Sequence, residues 1–105
     1  MEIDISHTPT APPHFLVHNE GDHVGVAVED VSAGTARVVF MDTDRVAEIA
    51  VLEPIPLGHK VALRDLPAEA EVLEYGVRIG VTRAPIRSGT LVHVHHLRSA
   101  RWAPR

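Results

Sequence analysis

A turn rich in proline and glycine places an imidazole beside an ammonium group. Pro54, Pro56 and Gly58 lead into His59, and Lys60 opens the next apolar run. Such a turn can direct both groups at a carboxylate substrate, with Lys60 as a point charge and His59 as a general acid or base. The alternative is a solvated turn in which His59 is a surface side chain and the Lys60 stem lies along apolar surface. From these residues alone, the solvated turn is the favoured interpretation.

A pair of histidines in a predicted strand is the second feature that could do chemistry. Residues 91–97 (LVHVHHL) alternate so that His93 and His95 would project from the same face. Two imidazoles at positions i and i+2 of a strand can present their nitrogens to a divalent ion. The chain has no cysteine, so any metal would be held by histidine and carboxylate side chains. Ordinary half-buried strand histidines are the alternative.

Two turns carry further polar side chains. Tyr75, the only tyrosine, precedes Gly76 in a predicted turn, where its hydroxyl could contact a substrate or make one buried hydrogen bond. Asp22 and His23 stand at the entrance of a valine-rich run. At that entrance we expect a turn carboxylate and an exposed imidazole rather than a catalytic pair.

The elements that must position these residues are short strands. Apolar runs of four to eight residues alternate with turn residues, which is the spacing of strands rather than of helices. Residues 42–45 separate two such runs and predict a β-hairpin with a four-residue connection. The sequence therefore predicts an all-β domain of about eight short strands with no long helix. The predicted strands cover residues 14–18, 23–29, 37–41, 46–53, 60–64, 71–75, 79–83 and 91–97.

A short pattern recurs along the chain. Residues 30–34 (DVSAG) resemble residues 65–69 (DLPAE), and residues 85–89 (PIRSG) keep part of the same pattern. Each copy ends one apolar run and precedes another. The recurrence therefore predicts a repeated strand–turn–strand device.

Length and proline content define the domain organisation. The 105 residues suit one compact domain. Prolines within residues 7–13 are incompatible with a helix or a central strand, so we expect an arm over residues 1–13, the domain over 14–102 and a tail over 103–105. A domain this small can hardly enclose a substrate on every side, so a catalytic site would be shared with a partner.

The charge balance excludes some classes of partner. The chain has 14 acidic and 10 basic residues, which argues against a nucleic-acid interface because that would need a clustered basic face. Arg98, Arg101 and Arg105 around Trp102 form a local basic cluster, which we interpret as a docking or solvated tail. No apolar run reaches 18 residues and the first residues are acidic, so we expect a soluble cytoplasmic protein with no membrane contact.

Four of these segments together resemble the amino-terminal SAF-type domain of the altronate and galactarate dehydratase family. They are GDHVGVAV (residues 21–28), IPLGHKVAL (55–63), YGVRIG (75–80) and VHVH (92–95). The resemblance covers residues 15–102 and implies the β-clip fold. The closing residues 96–102 are most similar to the small subunits of the sulfolactate sulfo-lyase branch of this family.

Three positions depart from the usual pattern of the family. Glu74 stands where a lysine is usual, His96 where an asparagine is usual, and His23 where an asparagine is usual. Glu74 reverses a charge, although the sulfo-lyase branch also tends to have glutamate there. The change at Glu74 bears on which acid the protein would recognise.

The resemblance implies the small subunit of a two-subunit lyase that acts on a hydroxy acid. Such an enzyme eliminates water from a sugar acid or sulfite from 3-sulfolactate, and it is associated with a divalent metal, typically iron, held mainly with the large subunit. By resemblance, His59 and Lys60 would be catalytic, Lys60 and Tyr75 would bind substrate, and His93 and His95 would hold the metal.

The same resemblance leaves a second class of function open. SAF-type domains also serve as non-catalytic ligand-binding or assembly modules, and a fold alone does not separate the two. We expect the chain to be inactive without its large subunit if it is a lyase component. The leaving group, the metal and the formation of a homo-oligomer stay open at the level of sequence.

Overall fold

The computed structural model describes residues 12–99, which form strands joined by short turns. Most of the predicted arm, Trp102 and the predicted tail lie outside this range. Among the described residues, no helix is long and apolar enough to cross a membrane. The strands are β1 (Phe15–Val17), β2 (Val24–Ala27), β3 (Gly34–Phe40), β4 (Val46–Val51), β5 (Lys60–Ala62), β6 (Glu71–Glu74), β7 (Val77–Thr82), β8 (Leu91–Val92) and β9 (Leu97–Ser99), and a 3-10 helix spans Val94–His96.

The strands form two sheets. The larger sheet has six strands in the order β4-β3-β1-β2-β5-β8, with β1 and β3 parallel and the other neighbours antiparallel. The smaller sheet has three antiparallel strands in the order β6-β7-β9. The predicted all-β, SAF-like domain is confirmed. The described residues contain nine strands where about eight were predicted, because residues 91–97 contribute to two of them.

Strands β2 and β5 form a wall between two hydrophobic cores. Val24 pairs with Ala62 on one face of this wall, and both pack in the second core. Ala27 and Val61 face the other way and pack in the first core, which is built around the fully buried Phe15. Side chains along β2 thus alternate between the two cores, and a short two-stranded wall serves both sides of the molecule.

The hairpin of β3 and β4 is confirmed with shifted ends. β3 begins at Gly34, three residues before the predicted start, and Arg37 pairs with Glu48 in the antiparallel ladder. The connection is residues 41–45, one residue longer than predicted. Residues 46–51 are a strand rather than a helix, as their β-branched content indicated.

The prediction of one continuous strand over residues 91–97 is wrong in its middle. β8 ends at Val92 after pairing with β5 of the larger sheet, whereas β9 pairs with β7 of the smaller sheet. The chain must change sheets between them, and the 3-10 helix makes this change. The N–H of His96 donates to the carbonyl of His93 at 2.8 Å and closes the turn.

Two isolated bridges of the same design tie distant segments together. In the first latch (residues 30–31 with 55–57), Val31 and Ile55 exchange backbone hydrogen bonds of 2.9 and 2.8 Å, and the Asp30 carboxylate accepts the N–H of Leu57 at 2.9 Å. The second latch (residues 65–66 with 86–88) repeats this arrangement. There Leu66 and Ile86 exchange bonds of 2.7 and 2.8 Å, and the Asp65 carboxylate accepts the N–H of Ser88 at 2.8 Å.

The latches explain the recurring sequence pattern and correct one part of it. Residues 30–34 and 65–69 are equivalent, as predicted, because each supplies the aspartate and the bridging residue of a latch. Residues 85–89 (PIRSG) are not a third copy. They form the partner strand of the second latch, and their equivalent in the first latch is residues 54–58 (PIPLG).

A glycine follows each latch, and substitutions at these two glycines distinguish the effect of backbone strain from that of steric overlap. Gly58 and Gly89 have φ of 84° and 85°, so alanine at either position costs about 1–2 kcal/mol of left-handed strain. A Cβ at Gly58 would meet nothing within 4 Å, whereas a Cβ at Gly89 would overlap the backbone oxygen of Ala50. We therefore expect Gly89→Ala to lower the free energy of unfolding by about 3–5 kcal/mol and Gly58→Ala by only about 1–2 kcal/mol. Urea unfolding measures both, and equal losses would contradict the overlap at Ala50.

Candidate functional site

Residues of both sheets line a cleft of about 390 Å³. Its polar side chains are Lys60 from β5, Glu74 from β6, Arg98 from β9 and His93 from the segment after β8. Apolar side chains of the second core form the rest of the wall. Those apolar side chains are Ile79, Val92 and Leu97. The cleft therefore combines three groups that are cationic or can become so with one carboxylate on a mostly apolar base.

Glu74 is the buried acid of this cleft. Val72 and Glu74 alternate onto the buried face of β6, and Glu74 is only 8% exposed. Its Oε1 lies 3.7 Å from Nζ of Lys60, which is a close ion pair but longer than a charge-assisted hydrogen bond. Burial raises the pKa of Glu74 above its ordinary value, the Lys60 charge opposes that rise, and the nearby Asp22 adds to it. The ionised form of Glu74 is therefore held at a cost.

Asp22 fixes the turn that follows Glu74. The Asp22 carboxylate is 1% exposed and accepts the backbone N–H groups of Tyr75 at 2.8 Å and Gly76 at 2.9 Å. It also accepts the N–H of Asn19 at 3.2 Å. Tyr75 and Gly76 have φ of 58° and 72°, the geometry of a two-residue hairpin turn. Asp22 thus joins the start of β2 to the hairpin of β6 and β7 and sets the position of Glu74.

His23 makes a second connection at the same place. Its Nδ1 accepts the N–H of Leu73 at 2.9 Å, and its own N–H donates to the Leu73 carbonyl at 2.9 Å. Burial lowers the pKa of His23, the charge of Arg64 lowers it further, and Asp22 opposes both. The neutral ring that this favours is the form in which Nδ1 can accept. Asp22 is the expected turn acid, since its N–H donates to the Asn19 carbonyl at 2.9 Å and its carboxylate accepts the Asn19 N–H. The expected exposed imidazole at His23 is wrong, because the ring is half-buried and its Nδ1 binds strand β6.

The structure separates His59 and Tyr75 from Lys60. Side chains alternate along the chain, so Lys60 faces the cleft while His59 is exposed in the preceding turn, with its Nδ1 3.4 Å from the Leu57 carbonyl. Tyr75 is 57% exposed and packs against the ring of His18 at a centroid distance of 4.9 Å. It lines a smaller groove of about 150 Å³. The predicted turn at Tyr75 and Gly76 is confirmed, while the catalytic role of His59 and the substrate-binding role of Tyr75 stay predictions.

The histidines near the cleft form a stacked cluster. The rings of His93 and His95 lie 4.5 Å apart with an angle of 15° between their planes. Nδ1 of His93 accepts the N–H of His95 at 3.4 Å, and Nδ1 of His96 accepts the N–H of His93 at 3.0 Å. The Nδ1 atoms of His93 and His96 are thus engaged in holding the 3-10 helix.

This geometry does not fit a metal centre built from residues 12–99 alone. A ligating nitrogen points its lone pair in the plane of its ring, and two nearly parallel stacked rings do not aim at one ion about 2 Å from both. Within residues 12–99, no group of three His, Cys, Asp or Glu side chains converges on a common point. The metal role predicted for His93 and His95 would need a rearrangement or ligands from outside this range, and we derive no chemical step from it.

Arg98 is the cleft residue whose sequence context gave least indication of its role. It forms an ion pair with Glu69 across the smaller sheet, and its Nε is buried with no hydrogen-bond partner among the described residues. The signal for Glu74 was present in the alternation of β6, where a charge occupies a core-facing position beside Val72. No local signal identifies Asp22, because its acceptor role depends on N–H groups 53 and 54 residues away.

With this geometry in view, the chain can be compared with known proteins. The altronate/galactarate dehydratase SAF domain matches residues 13–100. Because that match covers most of the chain, the protein belongs to the altronate/galactarate dehydratase SAF-domain family, as the sequence motifs indicated.

Individual relatives differ in how much of them this chain represents. The (2R)-sulfolactate sulfo-lyase subunit alpha of Chromohalobacter salexigens is 44% identical over 90 residues, which cover 84% of this chain and 96% of that subunit. Altronate dehydratase of Escherichia coli is 36% identical over 78 residues, 74% of this chain but only 15% of that enzyme. Galactarate dehydratase (L-threo-forming) of Escherichia coli is 37% identical over 87 residues, 81% of this chain and again 15% of the enzyme.

Replacing Asp22 should weaken the connection between the two sheets and destabilise the domain. In Asp22→Asn the amide retains one acceptor oxygen but turns a donor toward a backbone N–H, so at least one buried N–H loses its partner. We expect the free energy of unfolding to fall by about 2–4 kcal/mol. Asp42→Asn is the matched control, since Asp42 is exposed and accepts a single N–H, from Glu20 at 3.2 Å. The control should change stability by less than about 0.5 kcal/mol in urea unfolding, and a similar small loss in Asp22→Asn would show that the carboxylate does not hold the turn.

Glu74→Gln should stabilise the domain in a pH-dependent way. A carboxyl whose folded pKa is raised favours folding most below its unfolded pKa, near the ordinary 4.5, and loses that contribution as pH rises through the folded pKa. The variant should therefore match the native chain in acid and exceed its stability at neutral pH. Chemical unfolding at several pH values measures the difference. Glu71→Gln, on the same strand but exposed and paired with Arg78 at 2.9 Å, should show no such gain, and a gain for Glu74→Gln that did not vary with pH would contradict the buried-charge explanation.

Proposed function

We propose that this chain is the small subunit of a two-subunit lyase that removes a β-leaving group from a hydroxy acid, with sulfite from 3-sulfolactate as the favoured reaction. The observation that carries the proposal is the match to a sulfo-lyase alpha subunit along 96% of that subunit's length. The dehydratase relatives contain this domain as 15% of a longer chain. A separate subunit of this size is therefore the nearer parallel, and elimination of water from a sugar acid is the alternative reaction.

The cleft supports this function through its charge. Lys60 and Arg98 present two cationic side chains on a mostly apolar base, and a carboxylate or sulfonate binds such groups more strongly in a partly desolvated site than in water. Elimination next to a carboxylate builds negative charge on that carboxylate, so a fixed ammonium group beside it stabilises the transition state. We assign Lys60 to the carboxylate of the substrate.

The large subunit supplies what the described residues lack. The base that removes the proton and the group that assists departure of the leaving group have no evident counterpart in the cleft besides Glu74 and His93. We propose that a divalent metal, of the iron type suggested by the family resemblance, is held mainly by the large subunit. When bound, it would act as a Lewis acid toward the substrate oxygens. His59, exposed in its turn, is then available to a shared site at the subunit interface.

The proposal is tested by purifying the tagged chain from its native lysate and assaying the complex. We expect a stoichiometric large chain of the dehydratase type, metal in the complex but not in the isolated chain, and release of sulfite and pyruvate from 3-sulfolactate. Lys60→Met should lower kcat/KM by about 100-fold, since a charge-assisted contact is worth about 1.5–3 kcal/mol. Arg87→Gln removes an exposed cation outside the cleft and is the matched control.

Two outcomes would contradict the proposal. Turnover of altronate or galactarate but not of sulfolactate would move the assignment to the hydro-lyase alternative. Recovery of the small chain alone, inactive on all of these acids, would favour a non-catalytic ligand-binding or assembly module instead.

A further inference from the structure

The cleft contains its own counter-ion. Glu74 lies 3.7 Å from the Lys60 ammonium and is 8% exposed, so an ionised Glu74 occupies the position where Lys60 would otherwise meet an anion from solution. An ammonium group has three N–H donors, so Lys60 can also bind a ligand while it faces Glu74. An anion bound to Lys60 would stand close to the Glu74 carboxylate in a partly desolvated space. Two like charges there repel each other strongly.

We propose that the cleft binds an anion together with a proton, and that Glu74 is the group that takes up this proton. The step is balanced: the ligand anion enters, one proton from solvent adds to a Glu74 oxygen, and Lys60 exchanges its internal carboxylate partner for the external one. The neutral acid can then donate a hydrogen bond to the bound anion. The inference rests on the proposed function only in placing an anionic substrate in this cleft.

The charged surroundings of Glu74 favour protonation of Glu74 over movement of its ionised side chain out of the cleft. Burial already disfavours its ionised form, and the fixed Asp22 carboxylate adds to this, while the Lys60 charge is the main opposing influence. An anion on Lys60 cancels that opposition. The backbone that carries Glu74 is fixed in place, because Asp22 holds the following turn through the N–H groups of Tyr75 and Gly76. The titratable and charged groups around Glu74 are Lys60, His93 and Arg98 in the cleft and His18 and Tyr75 in the groove, and Asp22 is near enough to raise its pKa.

Binding and protonation are then reciprocal. If a bound anion increases the proton affinity of Glu74 by a given factor, protonation of Glu74 increases the anion affinity by the same factor. Affinity for an anion should therefore fall by up to about tenfold per pH unit once Glu74 is ionised. In the assembled enzyme this appears as a KM that rises with pH. Glu74→Gln should lack the part of this rise that is due to ionisation of Glu74.

The test observes the Glu74 carboxyl carbon directly, because other cleft groups can also change charge. The full chain is labelled with ¹³C at glutamate Cδ and titrated by NMR in sodium sulfate and in sodium chloride at matched ionic strength. We expect sulfate to move the titration midpoint of Glu74 upward by at least about half a pH unit and to leave Glu71 unchanged. Lys60→Met should abolish most of the shift. The sulfate affinity of the Glu74→Gln variant should depend less on pH than that of the native chain. The sulfate affinity of the Glu71→Gln variant should have the same pH dependence as that of the native chain.

Two results would overturn the inference. A Glu74 chemical shift that responds to sulfate while the Glu74 titration midpoint stays the same would show anion binding without the proton. No response of the Glu74 carboxyl carbon at high sulfate would show that this chain does not build the anion site. Both results are independent of whether the complex turns over sulfolactate, so failure of the inference is distinguishable from failure of the proposed function.

Discussion

One buried carboxylate connects the two sheets of this domain. Asp22 lies at the entrance of β2 in the larger sheet and accepts the N–H groups of Tyr75 and Gly76 in the turn of the smaller sheet. The next residue, His23, accepts the N–H of Leu73 with its ring and donates its backbone N–H to the Leu73 carbonyl. A small domain with two cores on either side of a two-stranded wall needs such a connection, because neither core alone is large. Hydrogen bonds to an ionised acceptor supply it over a very short length of chain.

The cleft is a consequence of that connection. With the β6–β7 hairpin fixed on β2, the side chain of Glu74 is directed inward against Lys60, and the segment from His93 to Arg98 closes the remaining side. A charge on a core-facing strand position is costly in a purely structural domain. Glu74 lines the cleft beside Lys60, which agrees with the proposed anion site, since local rules of sequence are most often broken at functional positions.

The sequence predicts what depends on local pattern. The strands before residue 91, the β3–β4 hairpin and the turn at Tyr75 follow from periodicity and turn residues, and they are confirmed. Lys60 and His93 were singled out, and the structure brings them into one cleft. The break at residues 93–96 was missed because VHVHH alternates as a strand does, and only the pairing of β8 and β9 with different sheets requires the turn. The role of Asp22 depends on N–H groups 53 and 54 residues away, which no local pattern encodes. The core-facing position of Glu74 is visible in the alternation of β6, but its pairing with Lys60 is not.

The latches have a consequence for the history of the domain. The two latches and the Asp22 connection all lie between residues 22 and 88 of one chain, so these closing contacts belong to the domain itself. Such a unit is portable: a gene can split it off or join it to another without rebuilding its interior. This accounts physically for one domain that recurs as nearly the whole of a small subunit and as 15% of a long dehydratase.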